Sequence, residues 1–558
     1  MPRKITKRKA HVKTEYTKTR KAYRSAIGRH VLVIEADMTE DQKRKAFAIA
    51  DQLRIAGNEA TAWLRKRYSQ LARTKKYKKL KRLYGKVSDE LKDDPTNKEL
   101  LAEKKRLGNE MQAMQKKYRV TFEALREKMI YLQKRDGLQS VFALTRAEAI
   151  WQGMEKILYH GASKLHFSAR GRLPIVRAKQ MRGAITTKVE DGRIVFSAGG
   201  VGRFSYVQPD QWQADELCAV IAFLQNPDEA EAQAASAYAE SGVLVDTFRP
   251  CYAALKCVRI RGKLRVYIHL TVEGNPLPKL DKDENIRHIF DKRGRVGCDI
   301  GTQTEAHTSE TEVGLTNLAE RGSTIRRQER QERLLQRKMQ RSQRATNPQN
   351  YNEDGTIKKG PKHWVKSKRY LKLRERHAEL SRKNADSRKF AICEQVNHLR
   401  HLGDILVTEP SNAKKLQKKA KRGKDKNGKE KHRKRFGKSI QNRCPGAFQS
   451  RLKAKFLSTG GEYHEVPSMF RASQYDHTNQ QYVKKTLGTR LYHLSDGTQV
   501  QRDMYSSLLM FCADDVYMEI SQARCEANFP SYLEGQNNRI AEIRKNHLDI
   551  KNSGIKAA

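Results

Sequence analysis

The sequence has no closely paired cysteines, no long apolar run and few acids against its bases. Its eight cysteines (Cys218, Cys251, Cys257, Cys298, Cys393, Cys444, Cys512, Cys525) are scattered, with no CxxC pair, so neither a disulfide framework nor a zinc ribbon is signalled. No apolar stretch approaches the roughly 18 residues that span a bilayer. The first 34 residues carry eleven Lys/Arg against one acid, Glu15, and lack the apolar centre of a secretory signal. A cytoplasmic protein is expected. A mitochondrial transit segment shares this composition, but the start is read as an RNA-binding arm.

Against 63 Asp and Glu stand 113 Lys and Arg, a formal charge of +50 over 558 residues. A chain with that excess repels itself unless a polyanion neutralises it, so the expected partner is RNA or DNA. Halophile-type biases run acidic, and a membrane-surface role would want a basic amphipathic helix with a strong apolar face. The length suggests about three or four structural units.

Residues 1–37 read as the arm and a first strand, His30 to Ala36. Thr39 and Gln42 form a capping box opening a helix with Ala46, Ile49, Leu53 and Ala56 on one stripe. A helical lobe is expected over 38–160, folded into a hairpin at the turn Asp93-Asp94-Pro95-Thr96-Asn97. A β-rich unit is expected over 161–293, with a hairpin around Asp191-Gly192. Its clearest piece is Cys257 to Val272. Continuous alternation there puts Val258, Ile260, Leu264, Val266, Ile268, Leu270 and Val272 on one face, and Arg259, Arg261, Lys263, Arg265, Tyr267 and His269 on the other. The second face is either ordinary solvated sheet or a platform for a phosphate backbone.

A basic helical insertion is expected over 324–400. Arg326, Arg327, Arg330, Arg333, Arg337, Lys338 and Arg341 lie on its first helix, and a loop follows from Asn347 to Lys362. Lys414 to Lys438 holds fourteen Lys/Arg and two acids, a composition that cannot bury a core. Its Lys418, Lys419, Arg422, Arg433 and Arg435 are candidate nucleic-acid contacts, as are the basic residues of the sheet face and of the helix.

Three acids sit at element ends. Asp299 lies near the end of the strand in Arg295-Val296-Gly297-Cys298-Asp299-Ile300-Gly301, with Thr311 to Asn317 as a possible antiparallel partner. Glu409 ends the strand Ile405-Leu406-Val407, after a helix that stops at Gly403. Asp503 opens a helix striped by Met504, Leu508, Cys512 and Val516. Singly, Asp299 suits a turn, Glu409 a Pro turn and Asp503 an N-cap. Together they are the pieces of an RNase H-like α/β fold, whose converging carboxylates hold two Mg²⁺ ions for phosphodiester hydrolysis.

The words Gly297-Cys298-Asp299-Ile300-Gly301, Ile405-Leu406-Val407-Thr408-Glu409 and Gln501-Arg502-Asp503-Met504-Tyr505-Ser506-Ser507 resemble, in order, the three RuvC-like motifs of the TnpB family. These are transposon-encoded RNA-guided nucleases related to small type V CRISPR effectors. The resemblance runs from about Val296 to Ala513, and Phe448 to Val466 looks like the family's next helix and strand. It implies a multidomain α+β protein in which a RuvC-like nuclease domain over 294–535 follows a β-rich wedge-like unit with an inserted helical recognition lobe. It implies catalytic, Mg²⁺-holding Asp299, Glu409 and Asp503, with Mn²⁺ able to substitute, a guide RNA and a DNA target as partners, and a prokaryotic cytosol or nucleoid. The sequence departs from the family at the ribbon, because Ser473-Gln474 is followed by Tyr475-Asp476-His477 with no paired cysteines. A hairpin over 473–500 turning near Asp496-Gly497 is expected instead, without zinc, with Asp476, His477 and His493 solvated. Residues 536–558 are expected to form a tail. The alternatives are a guided DNA binder that does not cut, and a general RNA-binding protein on the same scaffold.

Overall fold

The structure is a computed structural model that describes residues 15–178, 184–280, 283–286, 289–320, 324–410, 437–486 and 488–556. With about 53% helix and 18% strand, the protein is of mixed α+β class. It divides into two units, 1–284 and 285–558. Among the described residues no helix is long and apolar enough to cross a membrane.

In the first unit, α1 (Glu15–Ala26) and β1 (Arg29–Asp37) lead into five helices: α2 (Glu40–Arg73), α3 (Lys75–Asp93), α4 (Lys98–Lys117), α5 (Phe122–Asp136) and α6 (Ser140–Tyr159). The capping box forms as expected. Thr39 Oγ1 accepts the Gln42 amide at 3.2 Å, and Gln42 Oε1 accepts the Thr39 amide at 3.0 Å, an arrangement worth about 1 kcal/mol. Asn97 caps α4 after the Asp-Pro turn, so α3 and α4 pack as the expected hairpin. Apolar stripes such as Leu53, Ala60 and Leu64 on α2 and Phe142, Ile150 and Met154 on α6 enter one core with the sheet residues Leu32, Phe196 and Ile268. Lobe and sheet therefore share a single interior.

That sheet has seven strands, β2 (Val176–Arg177), β3 (Ile185–Glu190), β4 (Arg193–Ala198), β5 (Gly202–Tyr206), β6 (Pro250–Ile260), β7 (Lys263–Glu273) and β1, in the order β2-β6-β7-β1-β5-β4-β3. Asp191 and Gly192, at φ 48° and 70°, form the expected two-residue turn between β3 and β4. Three expectations change. The arm contains α1. Helices α7 (Gln211–Gln225) and α8 (Pro227–Ser241) interrupt the β-rich span. Cys257 to Val272 is not one alternating run but the end of β6, a turn at Arg261 and Gly262, and β7. The turn reverses the parity. Val258 pairs with Arg265 and Arg259 with Leu264, and paired residues share a face, so the continuous cationic face does not exist.

In the second unit, β8 (Arg295–Ile300), β9 (Thr304–Ser309) and β10 (Val313–Asn317) precede α9 (Thr324–Thr346), α10 (Lys368–Leu402), β11 (Ile405–Thr408), α11 (Gly437–Arg443), α12 (Pro445–Ser458) and β12 (Glu462–Glu465). Five strands form a sheet in the order β10-β9-β8-β11-β12. Among its first three strands each hydrogen-bonded pair is antiparallel, whereas β11 is parallel to both β8 and β12. The partner of β8 on that side is thus β9, an all-buried strand of largely polar residues, and not the 311–317 segment, which pairs with β9.

Two short hairpins follow, β13 (Tyr475–Asp476) with β14 (Gln481–Tyr482), and β15 (Leu491–His493) with β16 (Gln499–Gln501). Two helices close the unit, α13 (Arg502–Phe511) and α14 (Gln522–Lys545). Alternation divides β11 between two cores. Leu406 packs with α10 and α12 through Val396, Phe448 and Leu452, while Val407 packs with α13 through Met504 and Leu508. Val516 lies beyond α13 and is 69% exposed, so it leaves the expected stripe. Residues 536–556 are not a free tail: Gln536 and Ile543 are buried on α14, and the Ser553 carbonyl accepts a hydrogen bond from Gln501.

Candidate functional site

Register sets the first two acids beside each other. Cys298 on β8 is paired with Thr408 on the parallel β11, and the Thr408 hydroxyl donates to the Cys298 carbonyl at 2.7 Å. Asp299 and Glu409 each lie one residue further on, at the same edge of neighbouring strands. The Glu409 carbonyl is held by the Gln449 amide at 2.9 Å.

The third acid arrives on α13. Gln501 is its N-cap, accepting the Met504 amide at 2.8 Å, which leaves Asp503 in the first turn, where the helix dipole favours a carboxylate. The N-cap role open to Asp503 from the sequence belongs to Gln501. The helix lies directly on β8 because residue 297 is glycine. A Cβ there would stand 2.1 Å from the Ser507 carbonyl and 2.4 Å from the Phe511 amide. Any larger residue would push α13, and Asp503 with it, off the strand that carries Asp299.

The electrostatics mark one connected site. Desolvation, then the negative charge of Asp503, then that of Glu409 push the Asp299 carboxyl well above the ordinary carboxylate range, against opposing pulls from Arg502 and Arg490. Burial also raises Glu409. Asp503 is 7% exposed and is held by Arg490, whose Nη1 lies 3.2 and 3.3 Å from its two oxygens, and by Arg502 at 2.9 and 3.1 Å. These two arginines went unnoticed in the sequence. An arginine in a polar hairpin has no spacing signal, and Arg502 stands in the sequence only as part of a motif word. The three carboxylates do not close into a single tight cluster. Among the described residues the group whose ligand atoms all lie within 4.8 Å of one another is a different one.

No protein-family model and no curated protein matches this chain.

The other candidates divide three ways. Arg327, Arg330, Arg333 and Arg337 are exposed along α9, with Arg333 3.8 Å from Glu329; Arg326 lies on the same helix. Arg259, Arg261 and Lys263 cluster at the exposed tip of the β6–β7 hairpin, but Arg265 is held by both oxygens of Glu35 at 2.6 and 2.9 Å. Lys418, Lys419, Arg422, Arg433 and Arg435 lie outside the described residues, as does the Lys414 to Lys438 loop apart from its last two positions.

The ribbon segment is a pair of hairpins, the second turning through Leu494 to Thr498 as expected. Its polar residues are not all solvated. Asp476 is 6% and His477 4% exposed. Asp476 accepts hydrogen bonds from the amide and hydroxyl of both Thr478 and Ser495, at 2.7 to 3.0 Å. His477 Nδ1 lies 2.7 Å from the Tyr505 hydroxyl on α13. Only His493 of the three is exposed.

Proposed function

We propose that this protein is an RNA-guided DNA endonuclease of the TnpB and type V effector kind, with Asp299, Glu409 and Asp503 as its catalytic carboxylates. The observation that carries this reading is the placing of three acids, Asp299 and Glu409 one residue beyond the paired Cys298 and Thr408 on adjacent parallel strands, and Asp503 in the first turn of the helix packed on β8. A sheet in which three antiparallel strands are extended by two parallel ones supports the RNase H-like part of the reading, as do the motif words. Desolvated carboxylates with like-charged neighbours are costly alone, and this acidic, oxygen-only donor set suits hard divalent cations such as Mg²⁺. Two such ions there would supply activation of a water and stabilisation of the leaving oxygen of a phosphodiester. The chain's own residues hold the acids at the strand ends, keep α13 against β8 through Gly297, and place Arg490 where it can attract a phosphate. The exposed arginines of α9 and of the β6–β7 tip, together with the Lys414 to Lys438 segment, would track guide RNA and target backbone.

Asp299→Ala and Glu409→Ala are expected to lower Mg²⁺-dependent cleavage at least about 100-fold, since even residues that only support metal ligands contribute 10–100-fold, with RNA binding unchanged. Cleavage equal to that of the unaltered protein would remove the site assignment. A second reading, a guided binder that does not cut, is favoured by one observation: Arg490 and Arg502 already neutralise Asp503. Normal guided binding with no cleavage of matched DNA by the unaltered protein would select it.

A further inference from the structure

A separate group of side chains sits where β9, the β9–β10 turn and α10 meet. His307 on β9 is 1% exposed, and its Nδ1 lies 2.8 Å from Oε1 of the buried Glu305. Its Nε2 lies 3.2 Å from Oε1 of Glu312 in the turn. Nε2 of His398 on α10 lies 3.1 Å from that same oxygen. All three outer ligand atoms lie within 4.8 Å of one another. The pocket for the His307 ring exists because residue 314 on β10 is glycine: a Cβ there would fall 2.1 Å from the ring.

We propose that His307, Glu312 and His398 bind one divalent transition-metal ion of the zinc class, with water as a fourth ligand. Four ligands at about 2.0–2.1 Å in a tetrahedron stand about 3.3 Å apart, so the two 3.1–3.2 Å separations already suit a common ion. Glu305 supplies the second requirement. A metal-binding imidazole usually gives its other N–H to a carboxylate, which fixes the tautomer and aims the free lone pair outward, and Glu305 holds Nδ1 of His307 in that way. Two imidazoles with one carboxylate select zinc-like ions over Mg²⁺, which prefers oxygen. Each residue comes from a different element, so the ion would fasten α10, the helix leading into β11, to the β9–β10 edge. The competing account is a plain hydrogen-bonded ion network with no affinity for metal. The site shares no residue with Asp299, Glu409 and Asp503, and the inference stands apart from the nuclease reading.

The test uses the full chain, stripped with a chelator and titrated with Zn²⁺ against a chromophoric competitor, beside His398→Ala and Glu312→Gln. His398 and Glu312 are both substantially exposed, so these variants spare the interior. The acids of the other site are present in all three proteins, so any Zn²⁺ taken up there cancels from the comparison. One equivalent whose affinity is at least about 10-fold weaker in both variants than in the unaltered protein supports the site. The visible spectrum of added Co²⁺ should intensify to that of a four-coordinate ion in the unaltered protein alone. No uptake by the unaltered protein, or equal affinity in all three, overturns the proposal.

Discussion

At the residue scale, Asp299 is the most informative side chain. Burial and its acidic neighbours raise the Asp299 carboxyl above its ordinary value, so ionising it costs more in the folded protein than in the unfolded chain. From the ordinary carboxylate value near about 3.9 upward, the unfolded state binds fewer protons, and the contribution of this group to stability falls as pH rises through the folded value. Asp299→Asn removes the charge and keeps the shape. In chelator near neutral pH it should raise the melting temperature of the second unit by about 2–4 °C, which is about 1 kcal/mol for a unit of this size. Added Mg²⁺ should then raise the melting temperature of the unaltered protein more than that of the variant, because a ligand stabilises only what binds it. A lower melting temperature for Asp299→Asn in chelator would contradict this account of the site. The acids were legible because strand ends and a helix start leave marks in sequence. Arg490 was not, because its role depends on a chain reversal that brings a hairpin back over Asp503.

At the scale of elements, legibility followed the strength of local signals. Thr39 and Gln42, the Asp-Pro turn before Asn97 and the Asp191-Gly192 turn each fix geometry within a few residues, and each element formed where expected. The β6–β7 hairpin was missed because its turn, Arg261-Gly262, lies inside a stretch whose alternation continues unbroken on paper. Strand β9 was missed because Thr304 to Ser309 is mostly polar, and burial of such a strand is decided by neighbours that are distant in sequence. The ribbon segment shows the same limit. Burial alone would raise the Asp476 carboxyl, but hydrogen bonds from Thr478 and Ser495 outweigh it and hold it below its ordinary value. The stabilisation from this charge is therefore complete above the ordinary carboxylate value and is lost as pH falls through the folded one. Asp476→Ala should destabilise the second unit by about 1.5–3 kcal/mol, the range for hydrogen bonds to a charged group. Thermal unfolding near neutral pH checks it, and an unchanged midpoint would mean that other contacts hold the hairpins.

At the scale of the whole molecule, a formal charge of +50 is the dominant fact, and it is a statement about partners and not about fold. If phosphate contacts dominate, as proposed, affinity for RNA should fall about 10³–10⁵-fold between 50 and 200 mM salt, the range for 6–10 phosphate contacts; binding that barely responds to salt would remove polyanion recognition from the account. The most direct measurement is to purify the protein from cells expressing its native locus, sequence the RNA it carries, and incubate that complex with Mg²⁺ and DNA matching the end of that RNA. The account predicts one defined RNA and cleavage of the matched DNA that disappears in Asp299→Ala; a mixed RNA population with no matched cleavage would contradict it.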